Sequence, residues 1–309
     1  LKATDSAAYS KLTEAELNKI AAARTVVDEI DAEIQTAQAD IAALPSDIQP
    51  TAITIEAVSK VRDQLKALAN KGVEVEKEVA NYSTYKAAED KLNAALEEID
   101  SIKKDIKDFK YTGYGDKSAV SALRGKVTAL QTKYGDDILS DADLKNLTDA
   151  EAAVKATGDK VDAVVTEIGK LPTSLKPLAA ADSAVQAVKT SVEALVKEGV
   201  VPDTDISNYS DLVTLSEKVD AAKGEVNALK ADIAGFTYTD YSDKAEVEKL
   251  NDRLNALEAA YGDDILTDAE LKNLTDAENA VEQTNNEIDA AVALINDKTA
   301  TPLNPLSEA

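Results

Sequence analysis

Apolar residues return along this chain in steps of three and four. Val247, Leu250, Leu254, Leu257 and Tyr261 keep one narrow stripe, as do Val120, Leu123, Val127, Leu130 and Tyr134. Val185, Val188, Val192 and Leu195 obey the same rule, and so do Val58, Val61, Leu65 and Leu68. The spacing follows the turn of an α-helix and aims each stripe at a partner helix. Longer stripes run through Tyr85, Ala88, Leu92, Ala95, Ile99, Ile102 and Ile106, and through Leu212, Leu215, Val219, Ala222, Val226, Leu229 and Ile233. No useful length of chain alternates with period two, so the pattern predicts helices and no strands.

Helix ends are signalled separately. Thr13 with Glu16, Thr267 with Glu270 and Thr275 with Glu278 fit the reciprocal capping box, in which a hydroxyl and a carboxylate satisfy the first unpaired amides. Ser83 and Ser210 are expected to cap helices, and Thr148 and Thr275 to lie at or near helix starts. Pro45, Pro50, Pro172 and Pro177 stand where long helices should stop, because proline lacks the amide donor and clashes with the preceding turn. Residues 110–116 and 237–243 read as loops built on Tyr and Asp, with Gly in the first.

The stripes and stops repeat. The run from Tyr134 to Glu151 recurs from Tyr261 to Glu278, and the offset is 261 − 134 = 127. The same offset relates Pro45 to Pro172, Asn81 to Asn208, and Phe109 to Phe236. A weaker half-period of about 63 residues aligns Asn81, Asn146, Asn208 and Asn273, each followed two residues later by Ser or Thr. Each half-unit reads as a helix of about 20 residues, a loop and a helix of about 30. The predicted organisation is therefore the last helix of a preceding repeat at 1–44, then a repeat at 45–171 (halves 45–107 and 108–171). A second repeat follows at 172–298 (halves 172–235 and 236–298), with a further junction at 299–309. The expected fold class is all-α, an elongated tandem array of antiparallel helical bundles. Bundles joined by continuous helices and a solenoid of hairpins both fit the pattern. The chain is expected to be an internal piece or a processed product.

Composition then narrows the chemistry. Acidic residues number 58 against 34 basic ones, a formal charge of −24, and His, Cys, Met and Trp are absent. Without His or Cys there is no imidazole base, no thiolate nucleophile and no Cys/His zinc site, so no enzyme activity is expected. A polyanion repels nucleic acid and anionic lipid, and no apolar run approaches the roughly 20 residues that span a bilayer. Neither nucleic-acid binding nor membrane insertion is expected.

One cluster suits a hard cation. Asp136, Asp137, Asp141 and Asp143, repeated as Asp263, Asp264, Asp268 and Glu270, are candidate calcium ligands, although the spacing is not that of an EF-hand loop. The competing explanation is a plain turn followed by acidic residues at the positive end of a helix. No other cofactor is expected. Asn81, Asn146, Asn208 and Asn273 read either as glycosylation acceptors or as neighbours of helix caps. Tyr82, Tyr111, Tyr114, Tyr209, Tyr238 and Tyr241 recur at junctions, where they would pack loops onto helix ends or form a platform for glycans.

A capped helix ending in Ile-x-x-Leu-Pro (Ile41 to Pro45, Ile168 to Pro172) precedes a periodic helix ending at Tyr-Gly, then Leu266-Thr-Asp-Ala-Glu-Leu271. This order resembles helical repeats of Gram-positive S-layer and other large cell-surface proteins, and the architecture is similar to spectrin-type three-helix bundles. The resemblance implies a structural, rod-like spacer or scaffold in an extracellular, cell-surface or cell-wall layer, with calcium as the class's usual ion. Its partners would be other segments or copies of the same surface protein. The alternative is an adhesin-type binding module that engages a host protein or a cell-wall polymer.

Overall fold

The computed structural model describes residues 12 to 300, with side chains to residue 297, and every regular element among them is helical. The long helices are α1 (Glu14–Ala42), α2 (Ala52–Asn70), α4 (Tyr82–Asp108), α5 (Lys117–Tyr134) and α6 (Asp141–Gly169). After them come α7 (Leu178–Lys197), α9 (Tyr209–Gly235), α10 (Lys244–Tyr261) and α11 (Asp268–Ala300). The single turns α3 (Val75–Glu78) and α8 (Pro202–Asp205) lie between α2 and α4 and between α7 and α9. No helix among the described residues is long and apolar enough to cross a membrane. Two compact units separate, residues 12–111 with 116–152 and residues 112–115 with 153–300, so the division falls inside α6.

In the first unit, α1, α2 and the start of α4 enclose a core of Ala37, Ile41, Val58, Val61, Leu65, Leu68, Tyr85 and Leu92. Lys60 reaches Asp40 and Lys71 reaches Glu33, so α2 runs antiparallel to α1. The second half of α4 continues with Ala95, Ile99 and Ile106 buried, alongside Val120, Leu123, Val127 and Leu130 of α5 and Leu147 and Ala150 of α6. Lys126 to Asp105 and Lys133 to Glu98 make α5 antiparallel to α4. Burying one such aliphatic side chain stabilises by about 1.5–3 kcal/mol, whereas the exposed ion pairs contribute about 0–1 kcal/mol each. The stripes hold the bundle and the ion pairs trim its surface.

The second unit is built alike. Val161, Val164 and Ile168 of α6 join Val185, Val188, Val192 and Leu195 of α7 and Leu212, Val219 and Ala222 of α9. Further along α9, Val226, Leu229 and Ile233 meet Val247, Leu250 and Leu254 of α10 and Leu274 and Ala277 of α11.

The short helices α2 and α7 stop in the same way. Gly72 and Gly199 take φ of +91° and +89°, a conformation open to glycine at little cost. Val73 N then donates to Leu68 O at 3.2 Å, and Val200 N to Leu195 O at 3.1 Å. This Schellman closure satisfies orphan carbonyls and tucks Val73 and Val200 under the helix end, where both are buried.

Four expectations about helix ends need correction. Thr275 and Thr148 lie in the interiors of α11 and α6, so neither marks a start and Thr275 with Glu278 is no capping box. The stretch from Thr267 onward is uninterrupted helix-forming sequence with its seam intact, and a cap motif cannot begin a helix that is already propagating. Ser83 and Ser210 lie inside the first turns of α4 and α9. Asn81 and Asn208 occupy the cap positions, without a side-chain cap bond. Along α9 the fully buried stripe passes through Ser216 rather than Leu215, which is half-buried against the same core.

Candidate functional site: the helix-end junctions

The residues singled out by the sequence collect at helix ends. Thr13 opens α1 as a complete capping box: its amide donates to Glu16 Oε2 at 2.8 Å and its Oγ1 accepts from Glu16 N at 3.3 Å. Ser140 and Asp143 form the equivalent box at α6, with Ser140 N donating to Asp143 Oδ2 at 3.0 Å and Asp143 N to Ser140 Oγ at 3.2 Å. At α11, Glu270 accepts from Thr267 N at 2.8 Å and Oγ1 at 3.0 Å.

These bonds account for two of the eight carboxylates in the acidic turns. Hydrogen bonds from Ser140, reinforced by Lys103 at 3.2 Å, lower the Asp143 pKa. Lys230 and then Thr267 pull Glu270 down to about 2. Asp136, Asp137, Asp141, Asp263, Asp264 and Asp268 are exposed. Among the described residues no three acidic side chains converge in a way that would hold a metal ion. The turns that carry them begin at Gly135 and Gly262, with φ of +105° and +107°.

The four Asn residues share one task. Asn81 Nδ2 donates to Gln38 O at 2.8 Å, and Asn208 Nδ2 to Val165 O at 2.9 Å. Asn146 Nδ2 donates to Ile106 O and Phe109 O, both at 2.7 Å, and Asn273 Nδ2 to Ile233 O and Ala234 O, both at 3.3 Å. Each amide thus clamps the last turns of an earlier long helix; Asn146 meets carbonyls at the very end of α4, where the helix leaves them without a donor, and Asn81 and Asn208 add a second bond to carbonyls one turn inside. The nitrogen that a glycan would modify is the clamping atom in all four. Sequence spacing had aligned these residues, and the shared position was the signal for a shared structural role.

Tyrosines complete the junctions. Tyr134 Oη donates to Glu98 at 2.8 Å and Tyr261 Oη to Glu225 at 2.9 Å, tying the ends of α5 and α10 back onto α4 and α9. Tyr82, Tyr111, Tyr114, Tyr209, Tyr238 and Tyr241 are all half-buried. Tyr241 Oη donates to Asn285, and the Tyr114 amide donates to Glu198 O at 2.8 Å. The rings pack while the hydroxyls and amides bond, which is the packing reading of these residues.

One polar triad at the bundle's edge escaped the sequence reading: Tyr85 is buried, Glu89 half-buried and Arg62 exposed. Tyr85 Oη and Arg62 Nε both donate to Glu89 Oε1, at 2.5 and 2.7 Å. Burial, then the bond to Glu89, pushes the Tyr85 phenol up to about 12. Burial opposes ionisation of Glu89, but bonds from Tyr85 and Arg62 outweigh it and lower its pKa. Tyr85 and Glu89 lie one helical turn apart on α4, whereas Arg62 comes from α2, 27 residues before Glu89, and periodicity marks only Tyr85.

Open grooves lie beside these junctions. One of about 920 Å³ is lined by Lys103, Lys104, Lys107, Lys110 and Lys145 around Phe109 and Asn146. Another of about 370 Å³ lies between Leu178, Val226, Tyr261 and the Asp182–Lys223 pair. The first offers charge and the second an apolar floor. Compared with protein-family models, curated proteins and solved structures, the chain finds no match.

Proposed function

We propose that the chain is a structural, non-catalytic spacer segment: a tandem array of spectrin-like bundles on a 127-residue repeat, working as a rod-like scaffold in a bacterial cell-surface or S-layer protein. The observation that carries this reading is the set of Asn clamps. Asn81 and Asn208 make the same bond at places one sequence offset apart, and Asn146 and Asn273 close helix ends in the same manner. Four like junctions serve a repeated architecture, whereas a catalytic centre needs one place unlike the rest. The long helices α4 and α9 each contribute one half to the bundle before and the other half to the bundle after, as a spacer requires. The exposed carboxylates act as a diffuse counterion surface facing an extracellular layer, and neighbouring segments or copies are its partners.

Small-angle scattering with and without millimolar calcium tests this. A radius of gyration well above about 19 Å, the value for a compact body of this length, is the expected result. A value at that compact limit sinks the rod, and a profile indifferent to calcium removes a calcium role for the acidic turns.

A second reading, a binding module for a wall polymer or host protein, has one observation in its favour. Lys104, Lys107 and Lys110 around the larger groove have Ala231, Ala234 and Thr237 as their counterparts at the same sequence offset. The variant Lys104→Ala with Lys107→Ala and Lys110→Thr borrows the later repeat's residues. Salt-sensitive retention on an anionic polymer that this variant loses would favour the module.

A further inference from the structure

The last turns of α11 present an apolar face. Ile288, Val292, Leu294 and Ile295 are 44%, 48%, 63% and 62% exposed, four of the ten large hydrophobic side chains most open to solvent among the described residues. The same places on two earlier helices are covered. On α6, one offset earlier, Val161, Val164 and Ile168 are each 4% exposed beneath α7 and α9. On α1, two offsets earlier, Ile34, Ala37 and Ile41 pack against α2 and α4, with Ala37 and Ile41 at 0% and 1%. The triplet on α11 is Ile288, Ala291 and Ile295, identical in type and spacing to that on α1.

A charge beside the triplet narrows the fit. On α1, Glu33 pairs with Lys71, which follows the end of α2, at 2.5 Å. On α6 the signs are reversed, and Lys160 pairs with Glu198, which follows the end of α7, at 2.5 Å. The residue of α11 at that position is Glu287. It complements a Lys71 and repels a Glu198.

We propose that the end of α11 is a docking face for a short-helix and long-helix pair of the α2–α4 kind, presented in line with α11 as α7 and α9 are presented in line with α6. The occupant carries a Val/Leu stripe with three-four spacing and a basic residue after its short helix. Ile288, Ala291 and Ile295 enter the groove between its helices and Glu287 meets its cation. Leu294 stands where Asp40 accepts from Lys60, so the occupant does without that one contact. The inference rests on the tandem-repeat reading above and adds which repeat fits.

The test lengthens the chain after residue 298, in one case with a copy of residues 45–171 and in the other with a copy of residues 172–298. Hydrogen exchange of amides 284–297 is read by mass spectrometry. The first extension is expected to slow exchange at least about tenfold and the second severalfold less. Ile288→Asp should abolish the protection, and Glu287→Lys should reverse the preference between the two extensions. Exchange unchanged by either extension, or slowed equally by both, overturns the proposal. So does a concentration-dependent dimer of the original chain that protects the same amides, because it assigns the face to a second copy. A compact scattering profile with the expected protection would refute the rod and leave the docking face standing.

Discussion

The two units share a frame and differ in which layer of it is polar. In the first, the buried Tyr85, the half-buried Glu89 and the exposed Arg62 form a hydrogen-bonded triad at the bundle's edge. The residues at the same places in the second are Lys189, Leu212 and Ser216; Leu212 is 2% exposed, and a groove of about 450 Å³ opens beside them. A different layer shows the reverse. The first unit has Ile55 and Leu96 half-buried against its core, and the second has the ion pair Asp182–Lys223 at 2.8 Å. The pair Glu33–Lys71 exchanges signs as Lys160–Glu198. The apolar stripes, the Asn clamps and the Schellman glycines do not exchange. Ion pairs at bundle surfaces are worth little and are freely traded, whereas a stripe or a helix end has one solution.

The comparison breaks most visibly in the cores. Ile106→Ala and Ile233→Ala remove counterpart side chains that are each 0% exposed, and each should cost about 2–5 kcal/mol in urea unfolding. Costs differing by more than about 1.5 kcal/mol would show that the two frames are not equivalent.

The triad gives the next largest effect. Glu89→Ala leaves the Tyr85 hydroxyl, on a buried residue, without its acceptor and should cost about 1–3 kcal/mol, while the exposed Arg62 turns to water. Ser216→Ala at the counterpart position gives up only a 3.5 Å bond to Asp220 and should cost less, about 0.5–1 kcal/mol. Carrying the second unit's residues into the first, Arg62→Lys with Tyr85→Leu and Glu89→Ser, should cost less than Glu89→Ala alone, because no buried donor is stranded. A larger loss from the triple variant would mean that the triad is not a replaceable layer.

The clamps should behave alike in both units. Asn81→Ala and Asn208→Ala are each expected to lose about 1 kcal/mol, read by chemical denaturation. Loss confined to one of them would mean that the repeated bond has unequal roles.

Titration sharpens the contrast at the smallest scale. An ultraviolet titration should find one tyrosine ionising at about 12, absent in Tyr85→Leu. Because its folded pKa lies above the unfolded value of about 10, its contribution is complete below pH 10 and is lost as pH rises through 12. Glu270 acts in the opposite direction. Its folded pKa of about 2 lies below the unfolded value of about 4.3, so its contribution is present above that value and disappears as pH falls toward 2. Glu270→Gln should flatten the acid limb of the melting temperature, slightly, since the carboxylate is solvent-screened. An unchanged limb would remove the Lys230 and Thr267 bonds from the account.

The helices were legible because their signal is local. Val120, Leu123, Val127 and Leu130 are all buried as their spacing requires, and Thr13 with Glu16 closes the box that its spacing predicts. Thr275 with Glu278 has the same spacing and fails, since three residues cannot report whether the helix has already begun. Asp143 and Glu270, two of the eight candidate cation ligands, bond to helix-start amides and to lysines on another helix. The Ser140-x-x-Asp143 spacing is itself that of a capping box, while Lys103 and Lys230 lie outside any local pattern.

By itself, the sequence determined that this is a helical protein with narrow apolar seams, where most helices stop, and which residues stand at equivalent places, because helix periodicity and cap chemistry act within a few residues. Only the tertiary structure decided that the repeated Asn residues clamp distant carbonyls, that Glu89 gathers Tyr85 and Arg62, and that the end of α11 presents its seam to solvent. The clamps and the Arg62 bond join residues tens of positions apart, and the exposure of α11 depends on which helices lie beside it, so packing rather than local preference decides all three.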